Sequence, residues 1–290
     1  MSPTGSDSNN CSLAAPCRNF QAAYAQTNAG GEIAVLGTAG YNNGATFTIN
    51  KAISIVNPGG FEAGIAVPSG GIGIVINAGV NDALSLRGLT MEGGGVGNTG
   101  IIFNTGASLT IENSVIRHLT ATGIYFGSNV PISLTSSLSV SNTLVADNSG
   151  TGIYIIPTGS GTVTAVFNRV QTNNNLNYGI VADGANSTGT VKATISDSLA
   201  SNNGGQGFYA VTDSSHAPTT LMVVRSVAAN NLYGLYAAGT GATLRVANST
   251  VTGNGNGWLA IAGGVLDSYG DSYIDGNGGL EAAPPTIVRK

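Results

Sequence analysis

At 290 residues the chain is long enough for one large domain or two ordinary ones. Charged residues are only 8% against 42% hydrophobic, the reverse of a disordered chain, and 44 glycines with 9 prolines and no Gly-X-Y period exclude collagen. A net charge of −4 with Lys and Arg scattered singly leaves no basic stripe for nucleic acid, and no apolar run nears the roughly 20 residues of a membrane helix.

Residues 1–17 read as a polar lead-in. The opening Met-Ser-Pro-Thr-Gly-Ser-Asp lacks the apolar stretch of a signal peptide and reads as a mature start carrying an added Met. Cys11 and Cys17 are the only cysteines and lie in a polar, Pro-containing segment. That pattern suits a local disulfide in an exported protein, with two reduced thiols as the alternative. Arg18 to Asn28 is predicted as the one helix. Phe20, Ala23 and Tyr24 recur at helical spacing, Pro16 precedes them, and Gly30-Gly31 stops the run. A lone short helix ahead of strands predicts a cap on the N-terminal end of the core.

From Glu32 the period shortens. Ile33–Leu36, Thr46–Ile49, Ile53–Val56, Ile65–Val67, Ile72–Ile76 and Ala83–Leu86 read as strands separated by Gly, Asn and Pro turns. From Ala83 a phrase repeats, most fully as Ser108 to Phe126. An alternating apolar run leads to a small polar pair, a second apolar step, a polar turn, a glycine and an Ile-Tyr-like strand. Anchored on the residue after the polar pair, the copies fall at Leu89, Val115, Leu144, Val170, Leu199, Val227, Thr250 and Tyr273, 23 to 29 residues apart.

Copies this short cannot close a core alone, so they must stack. Abundant β-branched residues and glycine reject helical repeats, and a strict leucine spacing is missing. A parallel β-helix fits, with three short strands per turn and coils about 4.8 Å apart. Four places after the anchor, Asn148, Asn174, Asn203, Asn231, Asn254 and Asn277 predict an amide ladder. A second column, Gly100, Gly123, Gly152, Gly179, Gly207, Gly234 and Gly257, is expected to supply a positive φ at a corner.

The phrase IENSVIRHLTATGIY, with CSLAAPCRNFQAAYAQTNAGGEIAVLG before it, resembles bacterial secreted right-handed parallel β-helix proteins of the pectate-lyase-like superfamily. The expected fold is therefore all-β: a right-handed single-stranded parallel β-helix, a solenoid of about ten coils with an N-terminal capping α-helix. It forms one domain over 1–290, with lead-in and cap in 1–31, coils in 32–281 and a tail in 282–290. There Pro284-Pro285 is expected to end strand pairing. The resemblance also implies a secreted or cell-surface location.

That superfamily includes lyases, hydrolases, tailspikes and adhesins, so fold alone does not supply an activity. Its pectate lyases carry Arg-x-Pro-x-x-Arg and clustered calcium-binding aspartates, and its polygalacturonases Asn-Thr-Asp, Asp-Asp, His-Gly and Arg-Ile-Lys. The Arg-x-Pro-x-x-Arg, Asp-Asp, His-Gly and Arg-Ile-Lys runs are missing here, and the aspartates are scattered. No metal-ligating or cofactor motif is present either.

Three polar residues line up in the repeat. Glu92, His118 and Asp147 lie three places after successive anchors, and in register they would set an imidazole between two carboxylates, suited to general acid–base work. The alternative is a solvated turn in which the carboxylates pair with Arg117 or His118. Asp197 and Arg225 predict a weak surface pair, and His216 a solvent-exposed loop residue. The strand after the glycine column turns Ile102, Tyr125, Tyr154, Val181, Tyr209 and Tyr236 outward. Tyr125, Tyr154, Tyr209 and Tyr236 are thus the binding residues expected of a non-catalytic extracellular protein with a polysaccharide or protein partner. The rivals are a lyase or hydrolase of acidic polysaccharide using Glu92, His118 and Asp147, and a scaffold that self-associates through Ile102, Tyr125, Tyr154, Tyr209 and Tyr236.

Overall fold

A computed structural model describes residues 1–131 and 134–289. Each turn gives one strand to each of three parallel sheets. Sheet 1 has 10 strands, from Gly31–Ala34 to Val265–Ser268; sheet 2 has 10, from Ala39–Gly40 to Tyr273–Ile274. Sheet 3 has 9, from Phe47–Ile49 to Asn256–Ile261. The architecture is a right-handed parallel β-helix of about nine turns.

The alternation legible in the repeat makes this core. Leu109 pairs with Leu84 and Leu138 on sheet 1, and Ile124 with Ile101 and Ile153 on sheet 3; all six are buried. Each such side chain contributes about 1.5–3 kcal/mol relative to exposure. Phe103 and Phe126 stack at 4.4 Å inside the solenoid, coil upon coil.

The helix is shorter than expected, Phe20–Gln26. Asp7 takes the backbone N–H groups of Arg18 and Asn19 and holds them outside it, and Asn19 and Thr27 are both extended. Phe20 is buried against Tyr41 and Phe47, so the helix covers the first coil. A disulfide joins Cys11 and Cys17. At the other end the tail does not stop pairing at Pro284-Pro285. Thr286 bridges Ser268, and the tail lies on the open edge of sheet 1. Lys290 lies outside the described residues.

Two register slips correct the repeat. Val115 pairs with Thr90, not Leu89, and Leu144 and Leu199 both pair with Gln171, not Val170. The reason is a second ladder. Ser114, Thr143, Ser198, Ser226 and Ser249 are buried one place before the true anchor, and hydroxyls accept N–H groups of the coil before. In two coils that place holds Leu89 and Val170, apolar and buried, which mimic the anchor. The asparagine column slips with it, and its fourth-coil member is Asn175 rather than Asn174. Asn148, Asn175, Asn203, Asn231, Asn254 and Asn277 then link side chain to side chain at 2.9–3.0 Å.

The glycine column does not have positive φ. That conformation belongs to polar corners: Asn113, Asn142, Arg169, Asp197, Arg225 and Asn248 at 46–54°, and His118, Asp147, Asn174, Asn202 and Asn230 at 55–58°. The column glycines are needed for space. A Cβ on Gly152 would lie 2.7 Å from the Gly179 carbonyl oxygen, and one on Gly179 2.5 Å from that of Gly207.

Candidate functional site

Along the strands of sheet 3 the first outward residue after each glycine forms one column. Tyr125 pairs in register with Ile102 and Tyr154, Tyr154 with Val181, Val181 with Tyr209, Tyr209 with Tyr236, and Tyr236 with Leu259. The column is continuous, but it is a packed layer rather than a row of free rings. Tyr125, Tyr154 and Tyr209 are half-buried, while Tyr236 and Val181 are buried beneath their neighbours. Tyr125 meets Tyr154 edge to face at 6.0 Å, and Tyr209 meets Tyr236 at 5.0 Å. Such pairs add about 0.5–1.5 kcal/mol beyond area burial and hold the rings in fixed orientations.

Two further rings complete the layer. Tyr178 packs on Tyr209 at 5.6 Å and Tyr233 on Tyr236 at 5.1 Å. Strict alternation turns both inward, since each precedes the column glycine by one residue. The chain bends at that glycine and brings them to the outer face instead. A tyrosine directly before a column glycine was the available signal.

Asp183, at the end of the strand Ile180–Asp183, is the polar centre of this face. It is 8% exposed; its Oδ2 accepts the Tyr154 hydroxyl at 2.8 Å and its Oδ1 the Ala185 N–H at 2.9 Å. Burial, then the hydrogen bond to Asp183, pushes the Tyr154 phenol well above its ordinary value. Burial pushes Tyr209 up to about 12 and raises Tyr236 as well. These phenols are donors in a sheltered layer, not bases. Gln206 lies beside Tyr233 in register, and its Oε1 is buried with no partner among the described residues.

Sheet 2 and its corner place the acid–base residues. Glu92 ends the strand Leu89–Glu92 and pairs in register with Arg117, so His118 reaches it from the next corner. His118 Nδ1 lies 2.7 Å from Glu92 Oε1, and Arg117 Nε donates to Oε2 at 2.9 Å. Burial works to raise the Glu92 carboxyl, but hydrogen bonds from Gly94, His118 and Arg117 outweigh it and hold the group below its usual value. Glu92 is therefore an ionised brace for an exposed imidazole. Asp147 is not part of that contact; it accepts from Asn174 Nδ2 at 3.0 Å. Two of the three residues come together and the third stays on its own corner.

The remaining polar residues make local pairs. Arg225 grips Asp197 through two bonds of 2.9 Å, and His216 pairs with Asp213 at 2.6 Å in its loop. A groove of about 1090 Å³ separates the returning tail from the outer face of sheet 1, lined by Met222, Arg245, Tyr269 and Val288 among others. Among the described residues no three His, Cys, Asp or Glu side chains gather as a metal site, and no helix is long and apolar enough to cross a membrane.

No family model matches the chain, and no curated protein is similar to it in sequence. Its fold is that of solved polysaccharide-acting β-helices. The pectate lyase Pel9A superposes with a TM-score of 0.65 at 19% identity, over 98% of this chain and 80% of that one. An alginate lyase from Paenibacillus sp. str. FPU-7 gives 0.62 at 13% identity, over 93% of this chain and 95% of that one. At these identities the likeness is one of fold.

Proposed function

We propose that this chain is an exported polysaccharide-binding β-helix that holds a glycan on the outer face of sheet 3. The observation that carries the reading is the in-register aromatic layer from Ile102 to Leu259, with Asp183 set into it. Rings held by one another present apolar surface already ordered, so little side-chain entropy is lost when a sugar ring lies on them. Hydroxyls of Tyr125, Tyr154 and Tyr209 and the carboxylate of Asp183 supply polar partners between the rings. The disulfide and the polysaccharide-acting fold relatives agree with an extracellular setting.

A glycan array followed by calorimetry on the hits tests it. Tyr125→Ala with Tyr154→Ala, and separately Tyr209→Ala, are expected to weaken binding by about tenfold or more while thermal melting stays cooperative. Unchanged affinity in both variants removes the assigned face.

A second reading rests on the His118–Glu92 contact and on the pectate and alginate lyases among the fold relatives: a lyase of acidic polysaccharide. A carboxylate that orients an exposed imidazole can support proton abstraction. The expected result is new unsaturated chain ends from polygalacturonate or alginate, abolished by His118→Ala. Wild-type protein that releases none sinks this reading.

A further inference from the structure

We infer that the face of sheet 3 takes an uncharged, hydroxyl-rich polysaccharide and discriminates against polyuronates; this rests on the glycan-binding reading above. The first observation is where charge is placed. The nine strands of sheet 3 contain no lysine and no arginine, and their one charged residue is Asp183. Six of the ten cations lie on the other two sheets or between them, and Lys51, just past the first strand of sheet 3, donates to the carbonyls of Tyr24 and Thr27. Arg87, Lys192 and Arg245 are on sheet 1, Arg117 on sheet 2, and Arg169 and Arg225 at the corner between those sheets. Three of them are already paired, Arg87 with Glu112, Arg117 with Glu92 and Arg225 with Asp197.

The second observation is hydrogen-bonding sense. The Asp183 carboxylate accepts hydrogen bonds and donates none. Sugar hydroxyls can donate to it. A uronate carboxylate accepts only, so it cannot, and it brings a second negative charge toward Asp183 with no cation on the strands of sheet 3 to offset it. Desolvating that carboxylate against tyrosine rings adds to the cost. The same layer that suits a neutral chain of hydroxyls therefore repels a charged one.

The test is affinity electrophoresis and calorimetry of the full chain on four probes: glucomannan and xyloglucan as neutral chains, polygalacturonate and alginate as acidic ones. Wild type is expected to bind a neutral probe at least about tenfold more tightly than either acidic one. Asp183→Asn should narrow that gap several-fold by improving the acidic probes. Ile102→Lys, which adds a cation at one end of the column, three coils from Asp183, should do the same without touching Asp183. Polygalacturonate bound as well as the neutral probes, and lost in Tyr209→Ala, overturns the charge inference and leaves the glycan face standing. Acidic binding indifferent to Tyr209→Ala, or no binding of any probe, overturns both.

Discussion

At one outward position of sheet 1 the successive coils carry Ser54, Ser85, Thr110, Ser139, Val166 and Thr194, then Met222, Arg245 and Asp267; the outward column of sheet 3 runs Ile102, Tyr125, Tyr154, Val181, Tyr209 and Tyr236. Both sheets belong to the same coils, and both turn apolar residues inward. The inward columns are dictated by the solenoid, which has no other core. The outward ones are not, because sheet 1 closes at this position with short hydroxyls, aliphatic and charged side chains, and without aromatic residues. Tyrosines on sheet 3 are thus not required by the coil, and their grouping around Asp183 is what separates a face with a task from a face that is merely solvated.

The comparison breaks or sharpens under substitution. The largest effects belong inside, where the two sheets are alike. Phe208→Ala should cost about 3–5 kcal/mol and Leu109→Ala about 2–5, read as a lowered urea midpoint because a solenoid need not unfold in two states. Outside they should part. Tyr209→Ala is expected to cost about 1–2 kcal/mol, for a half-buried ring with two edge-to-face neighbours, and Thr194→Ala no more than about 0.5. A Tyr209→Ala loss equal to that of Phe208→Ala would make the tyrosine layer core and abolish the contrast.

A smaller effect appears at alkaline pH. Burial lifts Tyr209 from 10.0 to about 12, so the folded chain holds a proton that the unfolded chain releases. The stability this gives is complete below pH 10 and is lost as pH rises toward 12; Tyr154 and Tyr236 act in the same direction. Phenolate absorbance should therefore show a late-ionising class among the ten tyrosines, reduced by Tyr209→Phe. Ten tyrosines titrating together near pH 10 would mean the layer is open to water.

Much of the fold is legible in the chain because the repeat writes each coil's inward alternation openly. The errors came where one requirement imitated another. Leu89 and Val170 look like anchors because an apolar side chain can fill a buried serine's place. The column glycines look like turn residues, yet they are there so that backbone can approach backbone, a demand that only stacked coils reveal. The candidate site was half legible. Tyr125, Tyr154, Tyr209 and Tyr236 follow from alternation, whereas Tyr178 and Tyr233 depend on a bend that alternation does not contain. Asp183 could be seen only once Tyr154 and the end of the next coil's strand were side by side. The Glu92 and His118 contact survived the register slip because an imidazole can reach across one position; Asp147 lies in register with His118 but takes Asn174 from the following coil instead.

The asparagine ladder also gives the solenoid an electrical sense. Backbone hydrogen bonds across sheets largely cancel as dipoles, but every link from Asn148 to Asn277 donates from one coil to the next in the same direction. The aligned amides leave a surplus of N–H at the C-terminal end. One carboxylate meets it: Glu281 accepts the Asn277 N–H. The last coil is closed as an α-helix is closed at its N-terminus, by negative charge on the positive pole.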